Sequence, residues 1–381
     1  MEIKGYKYSD NKPIEVITKN GKISKINEIE IVSGDGKLFI APGFIDNQVN
    51  GYNNVNFMGD ELSVEGIRTT VHNFWKQGVT TFFPTLITAG HKQIIRNLKT
   101  FVEAQKDSNI SSSIPGFHLE GPYISPVDGY RGAHPLEHVR LPNWEEFKQY
   151  IEAANNKIIQ VTLAPEVEGA IPFIEKCVAH GIIVAIGHHN GSAEDIKKAT
   201  DAGAVLCTHL GNGCARNIDR AFNPLWAQLA EDRLNIQLIC DGFHLQPEQV
   251  KTFYKTKGKD SIILTSDIVH IAGLPPGIYN FFGEEIEMTA DGMVVNPKTK
   301  TFAGAGLPLK IGIENIMKFT NCTLADAINM VTKNYTKLFP LSDRAEISIG
   351  KRADLVLFTF ENNKIEIVKT IVNGNVVYSK K

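Results

Sequence analysis

No stretch of this chain is both long and apolar enough to cross a bilayer, and its opening, MEIKGYKYSDNKPIEV, has no apolar h-region. The expectation is no membrane partner and no secretory leader. Cysteine is sparse, five in 381 residues with no CxxC pair. Such scattered thiols suit a reducing cytoplasm better than a disulfide framework. Charge of either sign is not in excess: 40 Lys and Arg face 42 Asp and Glu, for a formal net charge of −2. Nothing in that balance recommends a nucleic acid or an anionic surface. Internal repeats and low-complexity segments are missing too. What remains is an ordinary globular composition, 43% hydrophobic and 22% charged. The length suits one large domain and a smaller one.

Strand and helix signals alternate through the middle of the chain. Eight strand candidates are PGFIDNQ (42–48), TTFFPT (80–85), GFHLEG (116–121), QVTLAP (160–165), IVAIGH (183–188), AVLCTH (204–209), QLICDG (237–242) and IILTSD (262–267). Amphipathic stretches fill most intervals, among them SVEGIRTTVHNFWKQG and SAEDIKKATDAG. In the latter, Ser192 and Asp195 read as a capping box that opens a helix. This is the size and rhythm of a (β/α)8 TIM-like barrel. A doubly wound open sheet is the alternative, but the glycine-rich dinucleotide turn it often carries after its first strand is missing. Both ends are strand-rich, IEVITKNGKISKI at the start and ADLVLFTFENNKIEIVKTIVNGNVVYSK at the finish, and neither is long enough to form a stable sheet alone. The reading is a small β-sandwich made from residues 1–41 and 341–381, flanking a metal-dependent barrel at 42–340.

Near the ends of four of the strand candidates sit Glu120, His188, His209 and Asp267. One polar residue closing an apolar strand is commonly bonded to backbone and nothing more. Several in one barrel sequence place their side chains on one face, where they can converge on a metal and a substrate. Two imidazoles and a carboxylate, Glu120, His188 and His209, suit one divalent metal ion, zinc first, with iron, manganese or cobalt as alternatives. Asp267 is read as the acid/base beside it. His134 in RGAHP and His244 in DGFHLQ lie in loops where they can polarise a carbonyl or bind an anion. Arg220 offers a guanidinium to a phosphate, or is an ordinary surface arginine. Backbone N–H groups at Asn212 and Gly213 can face an anion. His189, Cys207 and Cys240 are read as packing residues or as supports behind the site.

The motifs APGFIDNQVNG, HLEGPYI, VTLAPE, GHHNGSAEDIKKATDAGA, THLGN, DGFH and GLPPGIY follow one another along nearly the whole chain. In these the chain resembles the N-acetylglucosamine-6-phosphate deacetylase family of the amidohydrolase superfamily; the closing GKRADLVLF marks only the superfamily. The resemblance implies Glu120, His188 and His209 as metal ligands, Asp267 as catalytic acid/base and His134 as a catalytic group polarising the acetamide carbonyl. It implies a substrate site lined by Ala133, His134, Asn212, Gly213, Arg220, His244 and the stretch Phe302, Ala303, Gly304. It further implies a homodimer in which Arg220 reaches a neighbouring active site. Gln48 and Asn50 stand where many superfamily members carry His-x-His for a second metal, so one tightly held ion is expected, with any second ion near Gln48 weak.

The expected function is hydrolysis of the acetamide of N-acetyl-D-glucosamine 6-phosphate, a small-molecule sugar phosphate. The family's Ser-Gly-Ser-rich segment reads AGAGLPL at 303–309, and His270 follows Asp267 closely. These departures keep open a paralogue acting on another N-acyl sugar or related amide. A sugar-phosphate-binding protein without catalysis is the rival of a different class.

Overall fold

The computed structural model describes residues 1–30, 37–281 and 283–380. At its centre lies an eight-stranded parallel sheet, whose strands we number β1 (Phe44–Val49), β2 (Val79–Ile87), β3 (Phe117–Glu120), β4 (Ile158–Leu163), β5 (Ile183–Ile186), β6 (Leu206–Cys207), β7 (Asn235–Leu238) and β8 (Ile262–Leu264). Each strand pairs with the next in the sequence, as in a (β/α)8 barrel. The seam between β8 and β1 closes in two ways. Above, Val49 bridges Ile268 directly in parallel. Below, Met330 and Val331 take up the free backbone groups: Leu264 N–H donates to the Met330 carbonyl and Ile45 N–H to that of Val331.

The barrel interior is layered. At the bottom, Ile45, Phe83, Ala185, Leu206 and Ile263 pack with Tyr335 and Phe339. Above them lies a polar layer whose bonds run between neighbouring strands and also across the lumen. Asn47 of β1 donates to Gln160 of β4 (2.8 Å) and accepts from Gln237 of β7 (3.0 Å), while His118 of β3 meets Thr162 of β4 (2.8 Å). Burial pushes the His118 ring down to about 4, so it serves this layer as a neutral group. At the top, the strand ends open to the site.

The helices form for the reasons their sequences give. Val64–Lys76 begins on a Ser63 cap and buries Ile67, Val71, Phe74 and Trp75, a spacing of one or two turns that aims a single face at the barrel. Ala193–Asp201 opens with the Ser192–Asp195 capping box. The terminal segments join in a separate seven-stranded sheet, in which Leu38–Pro42 lies between Glu2–Lys7 and Leu355–Glu361. Alternation in its strands splits the sheet's two faces. Ile3, Val16, Ile40, Leu355 and Leu357 bury against one another as a core of their own. Phe39, Val356, Phe358 and Ile367 join the main core instead. A short antiparallel sheet, Gly277–Phe281, Glu284–Met288 and Val294–Val295, follows β8 and has no counterpart in the sequence reading. Among the described residues no helix is long and apolar enough to cross a membrane.

Candidate active site

Glu120 is the last residue of β3, and His188, His209 and Asp267 follow β5, β6 and β8 within three residues. The three that follow strands sit on left-handed backbone, with φ of +51°, +26° and +52°. That conformation costs a non-glycine residue on the order of 1–2 kcal/mol, so the surrounding structure must impose it. Hydrogen bonds supply the restraint: Ser125 N–H donates to the His188 carbonyl, Asn212 N–H to that of His209, and Ala305 N–H to that of Asp267, all between 2.8 and 2.9 Å. The chain thereby turns over the barrel mouth and drops each side chain inward.

Both imidazoles meet one carboxylate oxygen. Glu120 Oε1 lies 2.8 Å from His209 Nε2 and 3.3 Å from His188 Nε2, and the two Nε2 atoms are 3.2 Å apart. His188 Nδ1 lies 3.0 Å from the Tyr130 carbonyl oxygen, which can only accept, so the ring proton is on Nδ1. The Nε2 lone pair of His188 therefore faces a carboxylate. Two electron-rich groups so placed call for a cation between them, and this fits a divalent metal. Glu120, His134 and His188 also lie within 4.8 Å of one another, so His134 stands at the same cluster. It keeps a partner of its own, however, through Nδ1 and the Thr88 hydroxyl at 2.8 Å. Burial disfavours ionisation of Glu120, but the imidazoles of His188 and His209 against it prevail and hold its carboxyl well below the usual range.

Gln48 and Asn50 join the two carboxylates of the site. Gln48 Nε2 donates to Glu120 Oε1 (2.8 Å) and to Asp267 Oδ1 (3.1 Å), and Asn50 Nδ2 to Asp267 Oδ1 (2.7 Å). Gln237 of the polar layer donates to Gln48 Oε1 at 3.0 Å and fixes that amide's orientation. Burial, with the Glu120 charge beside it, pushes Asp267 up to about 6, a proton affinity suited to giving and taking protons near neutrality.

Residues 39–377 match the model of the amidohydrolase family. The chain belongs to that family. It is 30% identical to N-acetylglucosamine-6-phosphate deacetylase of Bacillus subtilis over 377 residues, 98% of this chain and 92% of the relative. It is also 30% identical to N-acetylgalactosamine-6-phosphate deacetylase of Escherichia coli O157:H7 over 340 residues, 88% of each chain. The N-acetylglucosamine-6-phosphate deacetylase structure from Thermotoga maritima superposes with a TM-score of 0.88 at 28% identity, covering both chains completely. The Mycobacterium smegmatis enzyme, solved as an Asp-to-Ala mutant holding N-acetyl-D-glucosamine 6-phosphate, gives 0.86 at 25% identity, over 96% of this chain and 95% of that one.

In this amidohydrolase the four strand-end residues border a cavity of about 380 Å³. Ala133, His134, Asn212, Gly213 and His244 line it, as does the run Phe302, Ala303 and Gly304. His244 Nδ1 lies 2.7 Å from Asp241 Oδ2, Phe302 packs on its ring at 4.5 Å, and its buried Nε2 has no protein partner among the described residues. Arg220 is the exception: it is exposed and does not line this chain's own cavity. The sequence reading missed Arg216 and Lys300, which do line it, with Arg216 Nη2 donating to the Lys300 carbonyl at 3.0 Å. Their only signal was charge, which any surface loop shares.

Two glycines are dictated by close approach. A Cβ on Gly213 would come within 3.0 Å of the His188 backbone nitrogen. One on Gly304, where φ is +73°, would meet Val269 Cγ1 at 2.3 Å and the Asp267 carbonyl oxygen at 2.9 Å. The hydroxyl-poor 303–305 run thus clamps Asp267: Ala305 bridges Ile268, and its carbonyl accepts from Val269 N–H.

Proposed function

We propose that this amidohydrolase hydrolyses the acetamide of N-acetyl-D-glucosamine 6-phosphate to D-glucosamine 6-phosphate and acetate. The observation that carries the reading is the convergence of Glu120, His188, His209 and Asp267 on one buried spot at the barrel mouth. The substrate class comes from the relatives, one of which was solved with that sugar phosphate bound.

Glu120, His188 and His209 would hold one divalent cation, zinc first, although iron, manganese or cobalt suits the same donors. Such a cation supplies an acidified water and polarises the acetamide carbonyl. Asp267 accepts the proton of the attacking water. Burial, with His188 beside it, pushes His134 down to about 3, so its ring is neutral. With Nδ1 against the Thr88 hydroxyl at 2.8 Å, His134 would carry its proton on Nε2 and donate it to the oxygen that gains charge as the carbonyl is attacked. Asp267 then delivers its proton to the nitrogen, because an amide anion is too poor a leaving group to depart unprotonated. His244 Nε2 and the backbone N–H of Gly213 would meet the phosphate, with Arg216 and Lys300 lining the same cavity. The Asn212 N–H is taken by the His209 carbonyl and leaves only its side chain for the ligand.

The reading includes a homodimer in which Arg220 completes a neighbour's phosphate site. Its exposure outside its own cavity supports this, as do Phe222, 90% exposed, and Trp226, 53% exposed, nearby in the chain. Five free cysteines support a reducing, cytoplasmic setting.

A second reading, the galacto epimer as substrate, is favoured by the equal identity of relatives of both kinds. Acetate release from the two 6-phosphates, and from both sugars without phosphate, tests the assignment. Faster turnover of the gluco 6-phosphate is expected. Preference for the galacto 6-phosphate would establish the second reading, and preference for an unphosphorylated sugar would contradict both.

A further inference from the structure

Asn50 carries a buried polar atom that the proposed chemistry has not yet used. Its backbone is pinned on both sides: its N–H donates to the Ile268 carbonyl (2.8 Å) and its carbonyl accepts from Phe57 N–H (3.1 Å). Its side-chain amide is oriented as well. Nδ2 lies 2.7 Å from Asp267 Oδ1, an oxygen that also accepts from Gln48 Nε2, so flipping the amide would set oxygen against oxygen. Oδ1 must then point away from Asp267. It is buried, in a residue only 8% exposed that borders the cavity, and it has no protein partner among the described residues. A buried carbonyl left unpaired loses its hydration with nothing in return, so an acceptor held this rigidly is built for a donor that arrives with the ligand.

Resting on the deacetylase reading, we infer that Asn50 Oδ1 accepts the N–H of the scissile acetamide. A secondary acetamide brings one acceptor and one donor into the site. Its oxygen is met by His134. Its N–H needs an acceptor, and Glu120, whose Oε1 already meets His188, His209 and Gln48, would be taken up by the cation. Asp267 must approach the nitrogen from the lone-pair side to deliver a proton there, so it cannot also receive that nitrogen's hydrogen. With the N–H directed at Asn50, the lone pair that develops in the tetrahedral adduct faces the neighbouring Asp267. Asn50 is thereby a substrate-contacting residue that sets the stereochemistry of protonation and selects an N–H amide.

The test separates this contact from Asn50's hold on Asp267 by measuring binding without turnover. In the metal-loaded Asp267→Asn enzyme, which keeps an Oδ1 acceptor for Asn50, dissociation constants are measured for N-acetylglucosamine 6-phosphate and for its analogue with a 2-O-acetyl ester in place of the amide. The amide should bind about tenfold more tightly than the ester. Adding Asn50→Leu should bring the ratio close to one while leaving ester affinity within about twofold. A ratio unchanged by Asn50→Leu, or equal losses for the two ligands, would overturn the assignment. If the double variant does not fold, a crystal structure of Asp267→Asn with the amide decides. A nitrogen within about 3.2 Å of Asn50 Oδ1 supports the contact, and a nitrogen facing any other acceptor refutes it. Binding of neither ligand would overturn the deacetylase reading and this one with it, whereas tight binding of both without discrimination sinks only the Asn50 contact.

Discussion

Asp267 combines two properties that rarely coincide: it is buried, and its backbone is left-handed at φ +52°. If it shuttles the proton between water and leaving nitrogen, Asp267→Asn should lower kcat by about 10²–10⁴-fold while metal content is unchanged, as read by acetate release and metal analysis. Turnover within a few-fold of wild type would remove Asp267 from the chemistry. Gly304 tests the clamp behind it. Because a Cβ there would strike Val269 and the Asp267 carbonyl, Gly304→Ala should reduce kcat by at least about tenfold, with a smaller change in KM. Unaltered kinetics would mean that the 303–305 segment plays no part in holding Asp267. At this scale the sequence was legible where a polar side chain closed an apolar strand, which is how Glu120, His188, His209 and Asp267 stood out. Gln48 and Asn50 stood out only as replacements for histidines. Their hydrogen bonds to Asp267, 219 and 217 residues away in sequence, have no local signature.

At the scale of the element, the eight barrel strands were readable because each is a short apolar run bounded by turn residues, with helical periodicity between most of them. The polar middle layer was not readable. Asn47, His118, Gln160 and Gln237 look like interruptions in their strands until the closed barrel sets them opposite one another. The seam was equally hidden, since Met330 and Val331 lie about 65 residues beyond β8. Asp46 of β1 ties that seam by accepting from Thr265 (2.7 Å), from Ser266 Oγ and from Ser266 N–H (3.2 Å). Burial outweighs those hydrogen bonds and pushes Asp46 from 3.8 up to about 6. The native state thus holds this proton more tightly than the unfolded chain. The resulting stabilisation is complete below about pH 4 and is lost as pH rises through about 6, a change of about 3 kcal/mol. Asp46→Asn does not titrate, so its melting temperature relative to wild type should rise by a few degrees between pH 4.5 and pH 7.5. A gap that stays constant across that range would mean Asp46 ionises normally in the fold.

At the scale of the whole molecule, the barrel supplies the proposed reacting groups, and in the proposed dimer Arg220, Phe222 and Trp226 would face the second copy. Phe222→Asp should shift the protein toward monomer in light scattering. Arg220→Ala should raise KM for the 6-phosphate by about tenfold or more with little change in dimer content. A monomeric wild type with full activity would remove Arg220 from the site, because it does not line its own chain's cavity. An ion held by Glu120, His188 and His209, as proposed, would join β3, β5 and β6, so chelation should abolish activity and lower the melting temperature together. The most direct measurement is acetate release from N-acetylglucosamine 6-phosphate by metal-loaded protein, with Glu120→Gln alongside. The account predicts turnover that the substitution lowers by at least about 10²-fold, together with loss of metal affinity. Retention of the metal with no acetate released from either hexosamine 6-phosphate would contradict it.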